Sequence, residues 1–188
     1  MPGGPGVVGE SLGHAVAATA TRPIPKTAVA QVRFLVKRLK GTKPVADLVE
    51  VSQRTVERYV KDQIKTPCTQ LAARLADEVR TRWQPRVKEN AKKNAAISTG
   101  IVVETRARFG FTAAPGSTDS GRIRRITQHL PATYAARLFD AQAAGAPEQR
   151  HQAVLTEGLQ QEYFKDRGRR ADGLLVEFTD IDYVEHSF

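Results

Sequence analysis

Apolar residues recur at helical spacing through residues 27–39. Val29, Val32, Leu35, Val36 and Leu39 fall on one side, with Arg33, Lys37, Arg38 and Lys40 on the remaining surface, which predicts an amphipathic helix. Gly41 is expected to end it, and Thr42 with Pro44 supplies a cap and a first-turn proline for the next helix. In TKPVADLVEVSQRTVERYVK, residues 42–61, the pattern breaks into two short helices. A helix-turn-helix needs a small residue at the helix crossing, apolar pins between the helices, a tight turn and a polar outer face on the second helix. Ala46 is the crossing residue, Val45, Val49, Val51, Val56 and Tyr59 are the pins, and Ser52 caps the second helix. Glu50 departs from the pattern, because such turns often carry a glycine; a longer or differently wound turn is the expectation. From Pro67 to Trp83 another helix places Leu71, Leu75, Val79 and Trp83 four apart, a stripe read as core. Pro85 interrupts it before RVKENAKKNAA, where Arg86, Lys88, Lys92 and Lys93 read as backbone clamps or a basic linker.

At Gly100 the period changes to two. Ile101, Val103, Thr105, Ala107, Phe109 and Phe111 share one face and Val102, Glu104, Arg106 and Arg108 the other, the pattern of a half-buried strand. TAAPGSTDSG, residues 112–121, reads as an exposed, hydroxyl-rich loop around Pro115-Gly116. A second strand is predicted over 122–130, helices over 131–144 and 147–164, and a final strand over 174–183. The glycine-broken first 24 residues read as a flexible arm. The expected fold is therefore α+β: a helical helix-turn-helix domain over 25–95, followed by a small mixed domain over 96–188 with a few strands and two helices.

A net charge of +9 favours a polyanionic partner, and its location sharpens the point. Residues 33–93 carry sixteen of the 29 Lys and Arg but seven of the 20 acids, so this segment holds the whole excess. Residues 172–188 have five acids and no Lys or Arg, and are expected to face away from nucleic acid or to meet a different partner. Arg167, Arg169 and Arg170 read as a solvated turn. Gln53, Arg54, Thr55, Arg58 and Lys61, projecting from the second helix of the pair, are the types that read base edges or grip phosphates; Arg38, Lys40 and Lys43 flank them.

The remaining chemistry is sparse. One cysteine, Cys68, permits no intrachain disulfide and fits a reducing cytoplasm, and no apolar run is long enough for a membrane span. His14, His129, His151 and His186 are scattered, no GxxxxGK[ST] loop occurs, and the acids do not form a two-metal carboxylate set, so neither a metal site nor autonomous nucleotidyl transfer is expected.

Four segments carry a resemblance: TRPIPK at 21–26, VSQRTVERYVKDQI at 51–64, RWQP at 82–85 and TRARFGFTAAPGSTD at 105–119. Together they resemble the telomere terminal proteins of Streptomyces-type linear chromosomes and plasmids, over the chain from residue 21 through the last strand. The resemblance implies a non-enzymatic protein primer that becomes covalently attached to the 5′ DNA end and primes fill-in of the single-stranded 3′ overhang. It implies telomeric DNA, overhang and duplex, a telomere-associated protein and a host DNA polymerase as partners, no membrane, and a nucleoid location at replicon ends. It implies no cofactor of the chain's own, with Mg held by the partner polymerase. The family uses a threonine near the loop. Thr118, past the Pro-Gly turn, is the first candidate attachment hydroxyl and Thr112 the second; Ser117 also fits, and Asp119 either orients the hydroxyl or makes a local turn bond. Arg106 and Arg108 either hold phosphates or form the wet side of the sheet. Two other classes stay open: a helix-turn-helix regulator with a ligand-binding or dimerisation C-terminal domain, and a recombinase-like enzyme. A homo-oligomer stays open as well.

Overall fold

The computed structural model describes residues 7–112, 118–165 and 175–188. Eight α-helices and three strands follow one another there: α1 (Val7–Ala18), α2 (Ala28–Leu39), α3 (Thr42–Leu48), α4 (Gln53–Val60), α5 (Thr69–Arg82), α6 (Pro85–Asn94), β1 (Ile101–Thr112), β2 (Thr118–Leu130), α7 (Ala132–Ala143), α8 (Glu148–Leu159) and β3 (Leu175–Ser187). Short π-helical turns, Ala95–Thr99 and Gln160–Phe164, continue α6 and α8. The class is α+β, and the chain divides into two compact units.

Ala20–Val87 forms the helical unit. The α2 helix starts where the Thr27 hydroxyl accepts the Ala30 N–H at 3.3 Å. It ends on Lys40, which itself takes the left-handed conformation (φ 58°) expected of a glycine, while Gly41 is extended. Val32 and Leu35 of α2, Val45 and Ala46 of α3, Val56 and Tyr59 of α4 and Leu71, Leu75 and Val79 of α5 bury their side chains in one cluster with Val49. Each fully buried Val or Leu of this set is worth about 1.5–3 kcal/mol of transfer free energy. That common core holds four short helices, none of which would be stable alone.

The second unit joins the described part of Met1–Thr19 to Lys88–Phe188. Its antiparallel sheet has the order β2-β1-β3. Ile101, Val103, Ala107 and Phe109 of β1, Ile126 and Leu130 of β2, and Val176 and Val184 of β3 form a buried cluster with α1, α7 and α8. Thr105 is buried among them and donates its hydroxyl to the Tyr183 carbonyl at 2.8 Å. Gly100 turns the chain into β1 at φ 70°, and a Cβ there would lie 2.2 Å from the Leu130 carbonyl oxygen, so no other residue fits.

The structure departs from the sequence expectations at three places. Residues 7–18 of the expected flexible arm form α1, whose Val8, Leu12 and Val16 enter the core of the sheet unit. Its glycines are tolerated because the Glu148 carboxylate, supplied from α8, accepts the orphan N–H groups of Val8 (2.8 Å) and Gly9 (3.2 Å). The division between domains falls at residue 88, not 95, because Ala95 is fully buried in the sheet-unit core. Part of the expected ten-residue loop is strand: β1 runs to Thr112 and β2 already starts at Thr118. Pro115, Gly116, Ser117, Arg167, Arg169 and Arg170 lie outside the described residues.

Candidate nucleic-acid interface

The pair α3–α4 is built as a pinned corner. The Val51 N–H reaches the Ala46 carbonyl at 3.0 Å across the turn, and the Ser52 hydroxyl accepts the Thr55 N–H at 3.2 Å to start α4. Glu50 occupies the left-handed region (φ 54°). The turn therefore keeps the backbone a glycine would supply, despite a cost of about 1–2 kcal/mol for an L side chain. Arg74 of α5 stabilises it: one guanidinium nitrogen donates to the Val49 carbonyl at 3.2 Å and lies 2.7 Å from the Glu50 carboxylate. Arg33 of α2 donates twice to the Val60 carbonyl (3.2 and 2.9 Å), satisfying the last turn of α4. Neither Arg33 nor Arg74 was singled out for these roles from the sequence. No local pattern marks an arginine whose partner is a backbone carbonyl 25 or more residues away.

These two arginines leave others free. Arg54 and Arg58 stand four residues apart on α4 with Lys61 just beyond, one exposed stripe. Among the described residues, no carboxylate pairs with any of the three, nor with Lys43 in the first turn of α3. Gln53 and Thr55 are partly committed within the fold. The Gln53 amide donates to the Thr42 hydroxyl (3.1 Å) and the Glu57 carboxylate (3.0 Å), and the Thr55 hydroxyl lies 2.8 Å from that of Ser52. Arg38 and Lys40 belong to a different place. With Lys37, Arg22, Phe34 and Trp83 they line a cleft of about 560 Å³ in the helical unit. Trp83 is half-buried there, where a fully packed core residue was expected.

The sheet unit treats its arginines differently. Three β3 residues, Asp180, Ile181 and Asp182, stand opposite Ala107 in a bulge of the β1–β3 register, with Asp180 itself at φ 46°. Arg106 reaches the Asp182 carboxylate at 2.5 Å and Arg108 that of Asp180 at 2.8 Å. Arg125 of β2 pairs with Glu104, which also accepts the Tyr183 hydroxyl at 3.0 Å. Those hydrogen bonds, from Arg125 first and Tyr183 second, hold the Glu104 carboxyl below its usual range. The acidic last strand, expected to point elsewhere, thus neutralises arginines of its own sheet.

Thr112 and Thr118 end β1 and β2 at the same tip. Among the described residues no three His, Cys, Asp or Glu side chains gather as a metal site, and no helix is long and apolar enough to cross a membrane. No protein-family model, curated protein or solved structure matches the chain.

Proposed function

We propose that α3 and α4 act as a helix-turn-helix on duplex DNA, and that the chain is the terminal protein of a linear replicon, priming DNA synthesis through a threonine at the β1–β2 tip. The observation that carries the reading is the unpaired, exposed stripe of Arg54, Arg58 and Lys61, in a protein whose sheet arginines Arg106, Arg108 and Arg125 are paired with Asp182, Asp180 and Glu104. Eight residues of α4 span roughly 12 Å at 1.5 Å per residue, about the width of the major groove of B-DNA. Lys61 and Lys43 suit phosphates, whereas Arg54 and Arg58 suit guanine edges.

In the priming step the threonine Oγ attacks the α-phosphorus of a deoxynucleoside triphosphate. An Oγ–P bond forms, the bond to the β-phosphate bridge breaks, and pyrophosphate leaves. The hydroxyl proton passes to a base or water in the partner polymerase, and the new 3′-OH serves as primer. A threonine hydroxyl is a weak nucleophile at neutral pH, so the polymerase and its Mg ions supply the activation and this chain supplies the hydroxyl.

The test is incubation of the purified protein with a labelled deoxynucleotide, the partner polymerase and telomeric template. Label that survives denaturation and migrates with the protein is the expected result. Tight binding to an internal promoter-like duplex with no label on any template would replace the primer reading with that of a transcriptional regulator.

A further inference from the structure

No residue of α3, α4 or the β1–β2 tip lines the cleft beside Trp83. Its floor is aromatic: Phe34 and Trp83 meet edge to face, with ring centroids 4.9 Å apart at 62°. Its rim is cationic, formed by Arg22, Lys37, Arg38 and Lys40, and no acid lines it. Among the described residues none of these four cations is paired with a carboxylate. In a chain that pairs most of its sheet arginines, four free cations around one aromatic floor are complementary to an anion with a flat apolar part.

The indole is held in place from behind. Its Nε1–H donates to the Arg22 carbonyl at 3.0 Å. The Thr21 N–H donates to the Gln84 side-chain oxygen at 2.9 Å, and the Gln84 amide returns a bond to the Thr21 hydroxyl at 3.1 Å. Gln84 makes this clasp from a left-handed backbone (φ 46°), an unfavourable conformation for a side chain of its kind. The segments around residues 21–22 and 83–84, far apart in sequence, are thereby locked together with one edge of the ring tied down. A fixed aromatic plane is a low-entropy stacking surface, and at about 560 Å³ the cleft falls within the roughly 300–1,000 Å³ range of ligand pockets.

We infer that this cleft binds single-stranded DNA, stacking an unpaired base on Trp83 while Lys37, Arg38, Lys40 and Arg22 take the flanking phosphates. The inference rests on the DNA-end reading for its context but not for its site: duplex is assigned to α4 and the unpaired strand to the α2–Trp83 cleft. Base–aromatic stacking is tolerant of sequence, so a homopolymer is a fair probe.

Trp83 is the only tryptophan of the chain, so its emission reports on the cleft alone. The full chain is titrated with a twelve-residue oligothymidylate and, separately, with a duplex of telomeric sequence. We expect the oligothymidylate to quench the Trp83 emission at least twofold. Trp83→Leu should weaken single-strand binding about tenfold or more while leaving duplex affinity within twofold. Because loss of the indole also removes packing, a second variant carrying Arg38→Ala and Lys40→Ala, both exposed, tests the rim. It should weaken the single strand about tenfold and make the slope of log K against log salt shallower by about 0.7 per phosphate lost. Binding of the oligothymidylate with unchanged Trp83 emission, unchanged affinity in the rim variant, or no single-strand binding at low salt would each overturn the inference. Loss of duplex binding in Arg54→Ala with single-strand binding retained supports the separate cleft, and failure of the wild type on duplex alone strikes the α4 reading instead.

Discussion

Thr112 and Thr118 are the final backbone pair of β1 and β2, directly opposite each other with residues 113–117 between them. Paired residues in an antiparallel ladder have Cα atoms about 4.5–5.5 Å apart, so the two candidate hydroxyl bearers occupy nearly the same place. We expect Thr118→Val to abolish covalent labelling with deoxynucleotide and Thr112→Val to retain it within about fivefold. Valine keeps the branched shape that a strand end favours, so a lost label would report the missing hydroxyl. If the two variants exchange behaviour, the attachment point is on β1; a label that survives both changes removes Thr112 and Thr118 from the chemistry.

The contrast between free and paired arginines gives a second expectation. On duplex DNA, Arg54→Ala and Arg58→Ala should each weaken binding several-fold to tenfold, and each lost phosphate contact should make the slope of log K against log salt shallower by about 0.9. Arg106→Ala and Arg108→Ala should leave affinity within twofold, since Asp182 and Asp180 already hold those guanidinium groups. Equal losses from both pairs, measured by fluorescence anisotropy across a salt series, would refute the assignment of DNA to α4.

What the sequence made legible was what periodicity encodes. The α2 stripe, the crossing residue Ala46 with the pins Val45, Val49, Val56 and Tyr59, and the inward face Ile101–Val103–Thr105–Ala107–Phe109 are buried in or packed against the cores, and the pin Val51 is partly buried. Features dependent on distant partners were hidden. Helix α1 rests on a carboxylate from Glu148, about 140 residues away, and nothing in VVGESLGHAVAA announces it. The early start of β2 is likewise a pairing effect. Gly121 there faces the Arg108 side chain, and only β1 as a template makes a strand of TDSG. The hydroxyl candidates were visible as residue types, but their opposition required the hairpin register. Trp83 was concealed by its spacing, since a residue four beyond Val79 looks like core until Arg22, Lys37, Arg38 and Lys40 are seen around it.

At the α3–α4 turn, the left-handed Glu50 makes a substitution series informative. Glu50→Val should destabilise the protein by about 1–2 kcal/mol, because a β-branched residue at positive φ is a steric outlier and the pairing with Arg74 is lost as well. Glu50→Gly relieves the backbone but loses an exposed ion pair worth about 0–1 kcal/mol, so it should change stability by less than about 1 kcal/mol. Urea midpoints that rank valine at or above glycine would show that the turn carries no backbone strain. If the strain reading holds, glycine should also preserve duplex affinity, since the free face of α4 is untouched.

The last expectation concerns pH. His186 of β3 is buried, its Nδ1 lies 2.9 Å from the Ser11 hydroxyl on α1, and among the described residues neither its Nε2 nor that of the buried His151 has a hydrogen-bond partner. Burial, and secondarily the neighbouring His151, pushes the His186 imidazole down to about 4 from the ordinary 6.5. Below pH 6.5 the unfolded chain takes up a proton that the folded chain refuses, so stability is full above that pH and falls progressively as pH drops towards 4. At 1.36 kcal/mol per unit the loss is at most about 3 kcal/mol. His186→Asn keeps a polar atom near Ser11 but cannot titrate. It should start less stable at pH 7, yet lose clearly less than wild type between pH 7 and pH 4.5 in urea titrations. Parallel losses in the two proteins would mean that His186 does not govern acid sensitivity. A flatter curve in the variant would identify the docking of α1 on β3, through Ser11 and His186, as the contact that acid weakens.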